Sequence, residues 1–293
     1  MYHNVVPNDS PKGYKFQGIT LNQRDFAKQI DWLNRHFKII SFTDYIHKKQ
    51  NGTLNPKKHM AITFDDGTKM TYENAEPILF YHKIPATIFV TTCQIDDGPL
   101  IWGAYYNALC YENEYDKIVF EGQSFLLDSD ENRKRIKRIL EKKARSSGNP
   151  TTFTIEFSKK YPLSKNIIPY YQGMTSLQLE HAGKSEWIEI GAHSVNHPFL
   201  VDLSTGGQLY ELKKSKDELE NKVGKAVRYF AYPSGAYNLE TINLLKQLRF
   251  EASAAVVPQN IGHDWEFEIP RIGVFSPSIM KLRLKLIKAS YLN

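Results

Sequence analysis

The chain reads as an α/β protein, a distorted barrel of seven or eight parallel strands, on three observations. Short apolar segments alternate with segments of helical period along most of its length. Three of the apolar segments stop abruptly on chemically loaded residues: Asp65-Asp66-Gly67, His193 to His197, and Tyr232 to Gly235. In a barrel of parallel strands all carboxyl ends open on one rim, so three such ends converge there. With 293 residues, one barrel domain spanning 1–293 has room for an insertion.

Taken in order, Tyr2 to Val5 predicts a short strand. Gln23 to Phe37 carries Phe26, Ile30, Leu33 and Phe37 at intervals of three and four, the spacing of an amphipathic helix. Lys38 to Phe42 and Met60 to Phe64 read as strands, followed by a helix over Tyr72 to His82 and a strand over Ala86 to Thr91. The alternation resumes with a strand at Trp187 to Gly191, a helix near Gly207 to Val223, a strand at Val227 to Ala231 and a helix near Leu239 to Leu248. Phe250 to Val257 and Ile269 to Val274 complete the series. Strands alternating with helices favour parallel pairing through right-handed crossovers.

Residues 94–186 are too many for one crossover and read as an inserted subdomain that overhangs the rim, since it joins strand ends bearing Asp65, Asp66, His193 and His197. It contains the aromatic segment Trp102-Gly103-Ala104-Tyr105-Tyr106 and a basic, helix-like run from Glu131 to Arg145, broken at 146–150 by Ser-Ser-Gly-Asn-Pro. Trp102 and Tyr105 either stack on sugar rings as a pocket wall or form the insertion's own core. The basic run is a solvated face, or else a site of attraction for phosphate-bearing glycans or an anionic membrane.

Two adjacent carboxylates at the end of a buried strand repel each other and resist burial, which suits metal binding, proton transfer or both. Asp-Gly is also a common solvated turn. His193 and His197, four apart past the end of another strand, supply the nitrogen donors that complement an Asp oxygen. That mixture suits a borderline divalent ion, zinc first, with cobalt, nickel or manganese as alternatives, and three protein ligands leave a position for water.

These segments together resemble the polysaccharide deacetylases with the NodB homology domain, carbohydrate esterase family 4. Thr63-Phe64-Asp65-Asp66-Gly67 matches the family's TFDDG motif, His193-Ser194-Val195-Asn196-His197 its H-[ST]-x-x-H motif, and Phe230 to Gly235 its third motif as found in the exopolysaccharide branch. The resemblance implies a NodB-type barrel and metal-dependent deacetylation of an N-acetylated saccharide in surface polysaccharide synthesis or modification. It makes Asp65 the general base, Asp66, His193 and His197 the metal ligands and the Ser234 backbone N–H an oxyanion donor. Tyr232 in the third motif, and Trp102 and Tyr105 by their aromatic faces, are the candidate substrate contacts.

The chain departs from the common pattern in two places. Ala231 stands where many relatives have the arginine that orients the base, and Arg271 in Ile269 to Val274 is the candidate substitute or a surface arginine. The C-terminal Leu-x-Leu-His motif lacks its histidine at Leu282 to Leu286. The opening Met1-Tyr2-His3 resembles instead the start of circularly permuted members, which makes His3 the general acid, with His263 as the fallback. Two further readings of the same site stand beside deacetylation: a deacylase or amidohydrolase acting on a small non-carbohydrate amide, and a catalytically silent glycan-binding barrel.

Composition fits a folded enzyme: 41% hydrophobic, 24% charged, net charge +6. No zinc-finger or RNA-binding signature accompanies the positive charge, so no specific nucleic-acid partner is expected. The sequence contains neither a signal-like start nor an apolar run of transmembrane length, and Cys93 and Cys110 are too few for a disulfide scaffold; the expectation is a cytoplasmic protein. Ser278 to Leu292 mixes leucines with lysines and arginine, which reads as a helix closing the barrel or as a weak peripheral membrane element. Oligomeric state is not encoded in any of these features.

Overall fold

The computed structural model describes residues 1–10, 19–112, 114–261 and 263–290. The chain opens with β1 (Asn4–Val6) and β2 (Thr20–Asn22), a parallel pair, followed by α1 (Gln23–His36). Asn22 starts α1 because its side chain accepts from the Asp25 backbone N–H. Next come β3 (Lys38–Ile39), α2 (Phe42–Gln50), β4 (His59–Met60), β5 (Ile62–Phe64), α3 (Lys69–His82) and β6 (Ala86–Val90). The strand expected over Lys38 to Phe42 stops at Ile39, because Ser41 caps a helix by accepting from Asp44 N–H. The half-buried Glu189 carboxylate then secures α2 from below, accepting from Phe42 N–H at 3.1 Å, Thr87 Oγ1 at 2.9 Å and the Thr43 hydroxyl.

The insertion supplies α4 (Trp102–Tyr111), the antiparallel hairpin β7 (Lys117–Phe120) and β8 (Gln123–Leu126), α5 (Asp130–Ser146) and α6 (Pro150–Lys160). Their apolar faces meet in a core of their own, which runs from Trp102 to Tyr171 and includes Tyr106, Leu109, Ile118, Ile136 and Leu140. The chain returns to the barrel core with α7 (Ser176–Lys184), whose Leu179 and Ala182 pack with Leu212, Phe230 and Ile188. It continues through β9 (Ile188–Ala192), α8 (Thr205–Val223), β10 (Tyr229–Ala231), α9 (Leu239–Gln247), β11 (Ala252–Ala255), β12 (Ile269–Pro270) and α10 (Ile279–Ser290). Residues 291 and 292 of the expected C-terminal segment lie outside the described residues.

Six strands form the central sheet in the order β12-β11-β10-β9-β6-β5, every pair parallel. Burial on both faces explains their near-continuous apolar composition. The two edges are bridged by the first residues of the chain. Met1 N donates to Ile272 O (3.0 Å) and Val274 N to Met1 O (2.9 Å), while Tyr2 N donates to Thr63 O (2.8 Å) and Asp65 N to Tyr2 O (3.0 Å). The sheet thus has six strands where seven or eight are expected, and the N-terminal segment occupies a seventh position that curls it towards closure. Among the described residues, β3 and β4 pair only with each other.

Tyr2 fixes this bridge from the side-chain direction. Its buried ring meets Phe26 edge-on at 5.3 Å and lies 5.6 Å from Phe64, and its hydroxyl donates to Gln29 Oε1 at 3.1 Å. Tyr2→Phe should lower the unfolding free energy by about 1–3 kcal/mol, because it leaves the buried Gln29 oxygen without its donor. Tyr2→Ala should cost about 3–5 kcal/mol. Urea unfolding of both variants checks the order and the sizes.

Candidate metal centre and catalytic cavity

β5 is buried along its whole length and runs into a turn in which Asp66 (φ 73°) and Gly67 (φ 69°) are both left-handed. A Cβ at Gly67 would stand 2.9 Å from Val90 Cα, so only glycine lets the turn press against β6. The reversal sends the two carboxylates to different partners. Asp65 meets Arg271 in a buried two-pronged pair, Nη1 to Oδ1 at 2.5 Å and Nη2 to Oδ2 at 2.8 Å. Asp66 keeps about a fifth of its side chain open (21%) and points Oδ1 at His193 Nε2 (3.7 Å) and His197 Nε2 (3.6 Å).

The histidine loop follows β9 and is held on several sides. Thr91 Oγ1 donates to His193 O, Thr92 N to Ser194 O and Cys93 N to Val195 O. From α8, the buried Glu211 carboxylate accepts from Val195 N (2.9 Å), Asn196 N (2.8 Å) and Asn196 Nδ2 (2.7 Å). Ser194 (φ 65°) and His197 (φ 53°) are both left-handed, a conformation these anchors maintain. His193 Nδ1 hydrogen-bonds the Ala231 carbonyl at 2.8 Å, which fixes that nitrogen as the protonated one in the neutral ring and leaves the Nε2 lone pair facing Asp66.

One donor atom from each of Asp66, His193 and His197 lies within 4.8 Å of the others. Burial pushes both imidazoles down to about 4, against the upward pull of Asp65, so both are neutral with free lone pairs at neutral pH. Burial also raises the Asp66 carboxyl, an effect Asp65 reinforces. Two neutral imidazoles and one carboxylate oxygen, gathered at one wall of a cavity, fit a divalent ion. For Asp65, burial acts upward but is outweighed by Arg271, His193 and His3, which hold the carboxyl well below the usual range.

These groups line a cavity of about 530 Å³. His3 also lines it, within electrostatic reach of both aspartates, and its Nδ1 is buried with no hydrogen-bond partner among the described residues. Its backbone is fixed by Thr71, whose hydroxyl donates to His3 O at 2.8 Å. Ser234, left-handed at φ 54°, faces the cavity from the loop after β10. Trp102 comes from the insertion to form part of the wall, and its indole N–H donates to His197 O at 2.9 Å.

One expected substrate contact, Tyr105, is corrected, and a second, Tyr232, reaches the cavity only in part. Tyr105 is buried inside the insertion, with its hydroxyl donating to Tyr161 O at 2.8 Å, so it belongs to that core and is not among the cavity's lining residues. Tyr232 borders the cavity, but its ring is buried and stacked on Tyr237 at 4.0 Å, and its hydroxyl donates to Phe267 O at 2.8 Å. The fallback His263 is exposed and is not one of the lining residues.

Sequence reasoning missed Glu211 and Gln94. Gln94 Nε2 donates to Asp66 O at 2.5 Å and faces the cavity. Neither position carries a local signal: Glu211 looks like one more surface acid on a helix, and only the fold shows that it is turned inward.

A family model described as polysaccharide deacetylase matches residues 53–253, more than half of the chain. Among curated proteins, the chain is 36% identical over 84 residues to a poly-β-1,6-N-acetyl-D-glucosamine N-deacetylase of Staphylococcus aureus, a match covering 28% of this chain and 29% of that relative. It is 31% identical over 103 residues to the enzyme of the same name from Staphylococcus epidermidis, covering 32% and 35%. The matched part is therefore about a third of these relatives' length. Among solved structures, the Streptococcus pyogenes deacetylase PplD in complex with acetate superposes with a TM-score of 0.63 at 20% identity, covering 98% of this chain and 96% of that one. IcaB from Ammonifex degensii gives 0.59 at 19% identity, covering 97% and 94%. The structural matches speak to the fold alone, and it is the family model, spanning the Asp-Asp-Gly turn and the histidine loop, that establishes this chain as a member of the polysaccharide deacetylase family.

Proposed function

We propose that the protein is a metal-dependent N-deacetylase of a surface polysaccharide, with poly-β-1,6-N-acetylglucosamine as the first substrate to test and zinc as the native ion. The carrying observation is the Asp66, His193 and His197 cluster in a cavity that is also lined by Asp65, itself paired with the buried Arg271. The names of the staphylococcal relatives supply the choice of glycan.

An ion held by Asp66, His193 and His197 would supply an acidified water and a polarised amide carbonyl. The chain's own groups perform the rest. Asp65, ionised and oriented by Arg271, takes a proton from the attacking water. A carboxylate held so low is a weak base, and a water of lowered pKa is the partner it requires. The Ser234 backbone N–H donates to the developing oxyanion, and His3 delivers a proton to the nitrogen as the C–N bond breaks, giving acetate and a free amine. Trp102 presents an apolar wall to the sugar ring.

Incubating the purified protein with β-1,6-linked and β-1,4-linked N-acetylglucosamine oligomers, with and without chelator, should release acetate preferentially from the first and only when metal is present. No acetate from any of these oligomers by the metal-loaded protein would overturn the proposal.

Asp65→Asn should reduce turnover by roughly 10²–10⁴-fold with metal content unchanged, since it removes a base. Asp66→Asn should weaken metal binding, by about tenfold or more. Metal analysis after dialysis separates the two, and equal loss in both variants would reverse the assignment.

His3→Ala should lower kcat by about a hundredfold or more while metal stays bound, with the pH–rate profile altered on the limb set by the acid. Activity near that of the wild type would remove His3 from the mechanism.

In metal-free protein, His193 and His197 move from an ordinary 6.5 to about 4, so between these values the unfolded chain binds more protons than the native one. Their contribution to stability is complete above 6.5 and is lost as pH falls through 4. Urea midpoints of the chelated protein should decline over this window, and less steeply in His193→Gln.

A further inference from the structure

α10 (Ile279–Ser290) contains Lys281, Arg283, Lys285 and Lys288 and no acidic residue. One face is committed to the protein: Leu282 is buried, Leu286 packs against the barrel core, and Arg283 lies 5.8 Å over the Trp32 ring of α1. The opposite face is apolar and exposed to solvent. Met280 (71% exposed), Leu284 (61%) and Ile287 (50%) follow each other at intervals of four and three, which places them on one stripe at about 100° per residue. By the same geometry Lys281 and Lys288 flank this stripe on one side and Arg283 on the other. Phe275, 43% exposed just before the helix, adds an aromatic ring, held by Lys285 at 4.3 Å, and lies 6.3 Å from the His3 ring.

We infer that the outer face of α10, with Phe275, docks on an anionic lipid bilayer. An apolar stripe bordered on both sides by cations has the form of a helix that lies in a membrane interface, with its side chains in the acyl boundary and its ammonium and guanidinium groups among anionic headgroups. A second copy is the poorer occupant, because a two-fold contact would bring each row of cations against its own image with no acid on the helix to answer it. Docking here would place the lipid surface on the side of Phe275, whose ring lies 6.3 Å from that of the cavity residue His3.

The test is co-sedimentation of the full chain with vesicles of phosphatidylglycerol and phosphatidylcholine, against phosphatidylcholine alone. Binding should require the anionic lipid, weaken as salt is raised, and fall at least tenfold in Leu284→Glu/Ile287→Glu. Binding should fall by a smaller factor in Lys281→Gln/Lys288→Gln, and the α5 variant Lys134→Gln/Arg138→Gln should bind as wild type. Thermal unfolding and metal content of each variant confirm that the barrel is intact; Leu284→Gln replaces the double variant if it does not fold. Absence of wild-type binding at low salt, or undiminished binding by the folded variant, overturns the inference. So does concentration-dependent self-association that these substitutions abolish, which would assign the face to a second copy.

Discussion

Everything at the catalytic rim depends on the buried pair between Asp65 and Arg271. It joins the first motif to the last strand segment across the gap that Met1 and Tyr2 bridge, so it is both an orienting device and a clasp on the curled sheet. A buried ion pair gains little over an apolar contact of the same shape, but leaving one partner alone costs about 3–5 kcal/mol. The two prongs account for both carboxylate oxygens, and Arg271 Nη1 also reaches Thr63 Oγ1 at 3.3 Å. Asp65 is thereby denied to any ion, and Asp66, turned the other way by a left-handed backbone, is left to the histidines. Two neighbours of identical chemistry acquire separate surroundings through one turn.

The site is built on conformations that side chains ordinarily avoid. Asp66, Ser194, His197 and Ser234 all have positive φ, at a cost of about 1–2 kcal/mol each. Their neighbours keep them there. Thr91 to Cys93 fix the histidine loop from β6, Glu211 fixes it from α8, and Gln94 holds the Asp66 carbonyl. Such anchoring fixes the donor atoms in advance, so that an ion meets an arrangement already made.

Much of this was legible in the sequence because the informative segments are local. TFDDG and HSVNH sit at strand ends, and the strand and helix periods place those ends on one rim. Arg271 was legible only through the resemblance, as a candidate for the arginine missing at Ala231, while its contact with Asp65 spans 206 residues and is a product of closure. What escaped was non-local or capped by a single residue. Ser41 cut an expected strand short by starting α2, and Glu211 is distinguished from other helical acids only by which way the helix faces. Trp102 and Tyr105 look equivalent in sequence, and both join the insertion core, yet three residues along a helix let only Trp102 also line the cavity.

The insertion does more than cover the rim. Trp102 donates to the carbonyl of His197 and Thr151 to that of Asn196, so the wall and the ligand loop share hydrogen bonds. Remodelling this segment would therefore disturb the histidine loop, so it is not an exchangeable lid. A transplanted insertion would have to bring its own donors for the carbonyls of Asn196 and His197, or the loop between β9 and α8 would lose two of its anchors.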